Sequence, residues 1–339
     1  MKILVTGGAG FIGSHTVVEL KLAGFTPIII DNFQNSEKSV LKGLESILEY
    51  KVPYYEGDCN NYEDLDHLLQ KEGDIAGIIH FAADKAVGES VRFPLKYYRN
   101  NVGSLVTLLE TMDKFDIHDL VFSSSCTVYG QPDVLPVSEN SPVLPAQSPY
   151  GNTKQICEEI IRDTVASGET LRAMSLRYFN PIGAHPSAEI GELPIGVPGN
   201  LVPFIAQTAA GIREHLNIFG HDYATPDGTC MRDYIHVVDL AKAHVRAIEV
   251  LQDQSEDGYY DFVNLGTGRG ATVLEVVKAF EKATGVALNY RLADRRPGDV
   301  EKIFASVDKA WELLNWKTEL SLEDGLVDTW RWQQRLSQK

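Results

Sequence analysis

The first half of the chain alternates short runs of β-branched and apolar residues with longer stretches in which apolar residues recur at helical spacing. Continuous apolar runs of this length are typical of strands buried on both faces, and the stretches between them predict amphipathic helices. Strands joined through helices form parallel sheets built from βαβ units. We therefore predict an α/β fold with a Rossmann-type, doubly wound parallel sheet, whose strands include KILVTG, TPIIID, PYYEGD, GIIHFAA and LVFSSS.

The pattern changes after SLRYFNPIGAHPS, where a stretch rich in proline and glycine runs through GELPIGVPGN and mixed short elements follow. A composition shift of this kind indicates a domain boundary. We predict a sheet domain over residues 1–180 and a smaller, mixed α/β domain over 181–339. This prediction leaves open that a segment near residues 232–266 packs back onto the first domain.

The stretch ILVTGGAGFIGSHTVVELKLAG predicts a strand, a glycine turn and a helix. Gly8, Gly10 and Gly13 fit the spacing G-x-G-x-x-G, and Gly7, Gly10 and Gly13 fit the related G-x-x-G-x-x-G. Both spacings place backbone N–H groups and a helix N-terminus against a pyrophosphate, which a Cβ would keep away. An ordinary corner between a strand and a helix has the same signature, so the turn alone leaves both interpretations open.

Asp31 favours the dinucleotide, because it ends the second apolar run 18 residues after Gly13. A carboxylate there can accept from both ribose hydroxyls of an adenosine and repels a 2′-phosphate, which favours NAD over NADP. Asp58, after the third strand, could meet the adenine, although a turn aspartate is an equal alternative.

A net charge of −16 argues against nucleic-acid and anionic-membrane partners, because the surface repels phosphate. The four cysteines are far apart and form no C-x-x-C pair, which suits a reducing compartment. The longest apolar runs are too short for a spanning helix, and the first residues enter a strand pattern at once. We therefore expect a cytoplasmic protein. Nine histidines occur without an H-E-x-x-H pair, so no metal site is predicted.

Tyr150 and Lys154 lie four residues apart in SPYGNTKQICEEIIR, after a strand that ends in SSSCTVYG. A helix entered at Ser-Pro places both side chains on one face. A free phenol has a pKa of about 10, so a tyrosine base needs nearby positive charge, which Lys154 and the nicotinamide ring of NAD could supply. Such a pair also arises by chance in an amphipathic helix. Because this pair occurs in a chain that also has the glycine turn, we favour a catalytic role for it. A serine of SSSC would then pass on the substrate proton.

Taken together, these residues resemble the extended short-chain dehydrogenase/reductase family, and within it the UDP-hexose 4-epimerases. The resemblance rests on TGGAGFIGSH, HFAADKAVGES, YYRNNV, FSSSCTVYG, SPYGNTK, RYFNPIGAHPS, RDYIHVVDLA and RRPGD. It implies Ser125, Tyr150 and Lys154 as the catalytic set, and a homodimer. It also implies a set of NAD-binding residues: Gly7, Gly10, Phe11, Ile12, Gly13, Asp31, Asn32, Asp58, Phe81, Lys85, Asn100, Tyr150, Lys154 and Phe179.

The resemblance further implies a UDP-hexose pocket in the second half of the chain. Arginines suit its diphosphate, because a guanidinium donates two parallel hydrogen bonds, and a carboxylate suits ribose hydroxyls. The implied residues are Asn180, Asn200, Leu201, Asn217, Phe219, Arg232, Arg296 and Asp299, with Ile303 as a gate for the substituent on sugar carbon 2. Because isoleucine is branched and of intermediate size, we expect weak or no activity on N-acetylated sugars.

The implied activity is inversion at carbon 4, which interconverts UDP-glucose and UDP-galactose through a 4-keto sugar. Related dehydratases carry an acid directly after the serine or threonine, where this chain has Cys126 and Thr127. Asp84 replaces an apolar residue common in the family, so the surroundings of Lys85 depart from the usual pattern. Two alternatives stay open: a 4-epimerase of another UDP-sugar, such as the N-acetylhexosamine or glucuronate forms, and a non-catalytic NAD-sensing protein.

Overall fold

The computed structural model describes residues 1–168, 170–255, 257–296 and 299–338. The first half of the chain alternates strands and helices, as its hydrophobic pattern predicts. Its elements are β1 (Lys2–Thr6), α1 (Phe11–Leu22), β2 (Thr26–Asp31), α2 (Ser39–Leu48), β3 (Tyr54–Glu56), α3 (Tyr62–Glu72), β4 (Ile75–His80), α4 (Val87–Arg92), α5 (Pro94–Tyr97), α6 (Gly103–Lys114), β5 (Asp119–Ser123), α7 (Pro149–Ala166) and β6 (Arg172–Tyr178).

The second half contains shorter strands and five helices among the described residues. These are β7 (Asn180–Ile182), α8 (Leu201–Ala209), β8 (Leu216–Phe219), β9 (Met231–Arg232), β10 (Tyr234–His236), α9 (Val237–Gln252), β11 (Tyr259–Leu265), β12 (Ala271–Thr272), α10 (Val273–Thr284), β13 (Tyr290–Ala293), β14 (Lys302–Ile303), α11 (Asp308–Leu314) and α12 (Leu322–Leu336).

Seven parallel strands form the central sheet, in the order β3-β2-β1-β4-β5-β6-β11. The order runs outward from β1 in both directions, so the chain reverses direction across the sheet between β1 and β4. This arrangement confirms the predicted doubly wound, Rossmann-type fold. Residues 232–266 contribute β11, which pairs with β6, and α9, which packs against α1.

Alternate residues of the central strands belong to two separate cores, one on each face of the sheet. Ile3 and Val5 of β1 pack with α1 and α9, whereas Leu4 between them packs with helices of the opposite face. All three side chains are fully buried. The continuous apolar runs therefore arise because both faces of the sheet are covered by helices.

A third core stabilises the second half of the chain. It packs helices α8, α10 and α12 against β8 and β10, with the fully buried side chains of Ile205, Phe280 and Leu326 at its centre. Its strands form small two- and three-stranded sheets, separate from the central one.

The carboxyl ends of parallel strands meet at one edge of the central sheet, and the loops at this edge carry most of the predicted site. Ligands bind at this edge in open α/β sheets, where the strand order reverses. Among the described residues, no helix is long and apolar enough to cross a membrane. The same residues contain no group of three or more His, Cys, Asp or Glu side chains arranged to hold a metal ion.

Candidate active site

The glycine turn folds tightly between β1 and α1. Gly7 has a φ of +66° and donates to the carbonyl of Ile30 at 2.8 Å, and Gly10 donates to the carbonyl of Gly7 at 3.0 Å. A Cβ on Gly13 would lie 2.3 Å from the Gly7 carbonyl oxygen, which no side chain can tolerate. Gly10 is the N-cap of α1 and offers no side chain to its first N–H groups. Phe11 and Ile12 begin α1, so the N–H groups at the N-terminus of this helix have no side-chain cap and can face an anion.

Asp31 lies at the end of β2 and is only 8% exposed. It accepts from the backbone N–H of Ala9 at 3.0 Å, from that of Phe33 at 2.9 Å and from the hydroxyl of Ser36 at 2.8 Å. The acid is therefore fixed directly beside the glycine turn. This combination of open helix end, glycine cradle and anchored acid fits the diphosphate and ribose of a dinucleotide such as NAD.

Three residues of the expected NAD-binding set, Asn32, Asp58 and Asn100, are joined through the side chain of Asn60 and a direct contact. Asn32 donates to Asp58 at 3.4 Å, and Asp58 accepts from the side chain of Asn60 at 3.1 Å. Asn60 also donates to Asn100 at 2.9 Å, which links the π-helical turn 98–102 to this group. Further along the edge, the ring of Phe81 packs 4.7 Å from that of His244 on α9.

Ser125, Tyr150 and Lys154 are buried at the carboxyl end of β5, with 6%, 8% and 3% exposure. Ser148 caps α7 by accepting from the N–H of Gly151 at 3.2 Å, and Pro149 occupies the first turn. This cap orients the helix so that the Nζ of Lys154 donates to the Ser123 carbonyl at 2.7 Å. The Nζ lies 5.9 Å from the centre of the Tyr150 ring.

Burial governs the pKa values of both residues of the Tyr150 and Lys154 pair. It raises the pKa of Tyr150, and a hydrogen bond with Ser125 only partly opposes the rise. It lowers the pKa of Lys154 to about 8. The sequence predicts a lowered tyrosine pKa from Lys154 and NAD together; the protein chain alone produces a shift of the opposite sign. Tyr150 is therefore a neutral phenol until further positive charge reaches it.

The loop after β4 contains Asp84, which departs from the family pattern, and its neighbour Lys85. The buried side chain of Asp84 accepts from Asn35 at 3.1 Å and lies 3.5 Å from the Nζ of Lys96. Lys85 itself is exposed and forms an ion pair with Glu192 at 3.0 Å. Glu192 also accepts from Asn200 at 2.9 Å, so a cofactor residue and a substrate residue expected from the sequence share one carboxylate.

The residues expected to hold the sugar nucleotide form two neighbouring groups. Asn217 and Phe219 project from the exposed face of β8. The guanidinium of Arg296 lies 5.4 Å from the ring of Phe219 and donates to Asp299 at 2.8 Å. Pro297 and Gly298, which complete the RRPGD motif, lie outside the described residues.

The second group includes Ile303, which packs in one core with Cys126, the residue after Ser125. Arg232 on β9 is paired in register with Ile303 on β14 and donates to the Met231 carbonyl at 2.8 Å. Ile303 is 4% exposed and packs in one core with Cys126 and Phe179. Asn180 follows Phe179 at the start of β7 and donates its backbone N–H to the Asp233 carbonyl at 2.9 Å. Leu201 begins α8 directly after Asn200, its N-cap.

A buried ion pair between α7 and β6 was missed by sequence reasoning. Glu158, one turn after Lys154, accepts from Arg177 at 2.9 Å and from Ser124 at 2.5 Å. Arg177 also donates to the hydroxyl of Tyr129 at 3.0 Å. The only signal in the sequence is an arginine inside the otherwise uncharged run AMSLRYF.

Comparison with known proteins agrees with this geometry. The model of the family described as GDP-mannose 4,6 dehydratase matches residues 4–329. A Bacillus subtilis protein named UDP-glucose 4-epimerase is 50% identical over 334 residues, which cover 98% of this chain and 97% of the relative.

Two solved structures match almost the whole chain. The Stenotrophomonas maltophila UDP-glucose-4-epimerase, with bound NAD and formylated UDP-arabinopyranose, has a TM-score of 0.96 at 45% identity and covers 100% of this chain and 99% of its own. The Bifidobacterium longum UDP-glucose 4-epimerase, in complex with NAD+ and UDP, has a TM-score of 0.94 at 43% identity and covers 99% of this chain and 98% of its own.

The doubly wound sheet, the glycine turn and the Tyr150–Lys154 pair define a short-chain dehydrogenase/reductase of the extended type, the class that contains enzymes acting on nucleotide sugars. Cys126 and Thr127 stand where the dehydratases of that class carry an acid. The chain belongs to the UDP-glucose 4-epimerase family.

Proposed function

We propose that the protein interconverts UDP-glucose and UDP-galactose by inverting carbon 4 of the hexose, with NAD held tightly throughout the cycle. The observation that carries this proposal is the placement of Tyr150, Lys154 and Ser125 at the same sheet edge as the glycine turn and Asp31. Relatives that share about half of its residues over the whole chain bear the same activity in their names.

The catalytic set moves one proton at the sugar 4-hydroxyl. Bound NAD supplies the hydride acceptor and donor for carbon 4, together with the positive charge of its oxidised ring. Tyr150 accepts the hydroxyl proton, directly or through Ser125, and returns it on the way back. Lys154 donates to the Ser123 carbonyl at 2.7 Å, which fixes its ammonium beneath the tyrosine ring.

Binding energy is concentrated on the nucleotide rather than on the ring that reacts. We assign Arg232 and Arg296 to the diphosphate, and Phe219 with Asp299 to the uridine end. A hexose held loosely by comparison can turn about its diphosphate link and present its other face, which inversion requires. If NAD dissociated midway, the ketone at carbon 4 could not be reduced again. A cofactor that remains bound therefore favours completion of the cycle.

We assign residues 1–180 to NAD and 181–339 to the UDP-sugar, with 232–266 packed on the first domain. The pairing of β11 with β6 and the packing of α9 on α1 support this division. Four cysteines that are buried and unpaired support a reducing, cytoplasmic location.

A homodimer is supported by large apolar side chains that are exposed on α4, α5 and α6 and at the turn before α5. Exposed apolar residues that gather on neighbouring elements mark protein–protein contacts. These residues are Val87 at 43%, Val91 at 61%, Phe93 at 55%, Leu95 at 77% and Val106 at 38% exposure. Light scattering on a Leu95→Asp variant tests this proposal: we expect a monomer where the parent protein is a dimer.

The activity is tested by proton NMR of UDP-galactose mixed with the purified protein and no added NAD. We expect the anomeric signal of UDP-glucose to grow to an equilibrium mixture. No conversion, even with NAD added, would refute the proposed reaction and direct attention to another UDP-sugar or to a non-catalytic role.

Tyr150→Phe should lower the turnover by about 10²- to 10⁴-fold, since it removes only the hydroxyl that moves the proton. The NAD content, measured by absorbance after deproteinisation, should stay at the wild-type ratio. Tyr62→Phe, on the exposed side of α3, serves as the matched control and should be as active as the parent. Equal turnover in both variants would remove Tyr150 from the catalytic set.

A further inference from the structure

Glu192 joins three separate parts of the molecule. Its Oε1 accepts from the Nζ of Lys85 at 3.0 Å and from the Nδ2 of Asn200 at 2.9 Å. Its backbone carbonyl accepts from the indole N–H of Trp332 on α12 at 2.9 Å. The carboxylate side chain is 10% exposed, so it is largely buried.

The contact changes what Asn200 does for its own helix. Asn200 is the N-cap of α8, a position where asparagine normally accepts from one of the first backbone N–H groups. Here its side chain makes no capping hydrogen bond, and its amide donates to Glu192 instead. The positive end of α8 therefore has no side-chain cap, and the second N–H of the Asn200 amide stays available as a donor.

The same carboxylate restrains Lys85. The Lys85 side chain is 60% exposed and has a flexible stem, so its ammonium would otherwise sample many positions. An ammonium has three donors, and the contact with Glu192 uses one of them. The ion pair thus holds the Lys85 ammonium beside the Asn200 amide and leaves two of its N–H donors free.

We propose that Glu192 is a positioning residue for the sugar nucleotide: it holds the Asn200 amide and the Lys85 ammonium side by side, with donors of both left free for the substrate. This inference rests on the proposed function, because it concerns the same UDP-sugar site. Glu192 accepts hydrogen bonds and carries negative charge, so it acts through Asn200 and Lys85 rather than on the phosphates.

The test is a double-mutant cycle on UDP affinity, measured by calorimetry on the protein as purified with its NAD. Glu192→Ala should weaken UDP binding by about tenfold, the loss expected when one hydrogen bond to a charged group is no longer positioned. In an Asn200→Ala background, Glu192→Ala should cost less than about twofold more. The KM for UDP-galactose should rise with the Kd for UDP, and kcat should stay within about twofold.

Glu189→Ala is the matched control, because Glu189 lies three residues earlier and also pairs with a cation, in its case Arg335 of α12. It should bind UDP as the parent does. The melting temperature and the NAD content of Glu192→Ala should match the parent. Wild-type UDP affinity in Glu192→Ala, an equal loss in both backgrounds, or a proportional loss of NAD would each overturn the inference.

Failure of the proposed function has a different signature. If the parent protein binds UDP but leaves UDP-galactose unchanged in the NMR assay, the epimerase proposal fails while the cycle still decides the role of Glu192. If the parent does not bind UDP, both proposals are wrong.

Discussion

Replacing Glu158 by glutamine removes one charge of the buried pair while keeping the shape of the side chain. Glu158 and Arg177 are 8% and 4% exposed, and the carboxylate is the only anion among the hydrogen-bond partners found for the guanidinium in the part of the chain that the structure describes. Arginine does not escape by losing its proton. Glu158→Gln therefore leaves a buried cation without a hydrogen-bonded counter-charge.

The cost of that orphaned charge is about 3–5 kcal/mol of unfolding free energy. Unfolding entropy is about 2.1 cal/mol/K per residue, or about 0.7 kcal/mol/K for 339 residues. The melting temperature of Glu158→Gln should consequently fall by about 4–7 °C. Calorimetry at pH 7 with saturating NAD on every variant measures the difference.

Glu319→Gln provides the control, since Glu319 is 64% exposed and pairs with Lys242 at 40% exposure. An exposed pair is worth less than about 1 kcal/mol, so its melting temperature should change by about 1 °C. The double variant Glu158→Leu with Arg177→Met removes both charges and should melt above Glu158→Gln. A Glu158→Gln protein that melts within 1 °C of the parent would refute the reasoning.

Acid should destabilise the protein through buried histidines, because burial lowers the pKa values of His15 and His80 to about 3 and of His244 to about 4. Below about pH 6.5 the histidines of the unfolded chain bind protons that the buried native histidines do not. The free energy of unfolding therefore falls as the pH falls from about 6.5 towards 4. The loss is about 1 kcal/mol per histidine between pH 6.5 and 5.5. Melting curves at both pH values should show a smaller decrease for His80→Gln than for the exposed His67→Gln, and equal decreases would contradict the assignment. Ile303→Ala should raise the ratio of kcat/KM for the N-acetylated to the plain UDP-hexose by about tenfold, because it removes volume next to Cys126, and an unchanged ratio in the NMR assay would remove Ile303 as the gate.

The features that sequence predicts well here are local. Strands β1 to β5 coincide with the five apolar runs, and α7 begins at the Ser-Pro predicted as its entry. The glycine turn and Asp31 are also predictable, because they follow consecutive strands, β1 and β2, which pair directly in parallel. The sheet edge then gathers these residues from the ends of different strands, and the predicted fold is confirmed.

Contacts between distant parts of the chain could not be predicted in the same way. Lys85 and Glu192 are 107 residues apart, and nothing in 31 basic and 47 acidic residues marks them as partners. Glu158 and Arg177 lie on a helix and on a strand whose packing decides that their charges meet. Pairing of this kind is a property of tertiary structure, so it appears only once the helices have been placed on the sheet.

The pKa values of Tyr150 and Lys154 show how far tertiary burial can reverse a local argument. Spacing of four residues predicts a cation that makes a nearby phenol more acidic, yet burial raises the pKa of Tyr150 and lowers that of Lys154 to about 8. Both shifts favour the neutral forms, so the two side chains alone do not form a phenolate and ammonium pair at neutral pH. In the proposed reaction, Tyr150 therefore becomes a base only when positive charge is added to the same buried space, which would tie proton removal to the presence of the oxidised dinucleotide. On that proposal, the coupling prevents removal of a proton from a sugar that cannot be oxidised.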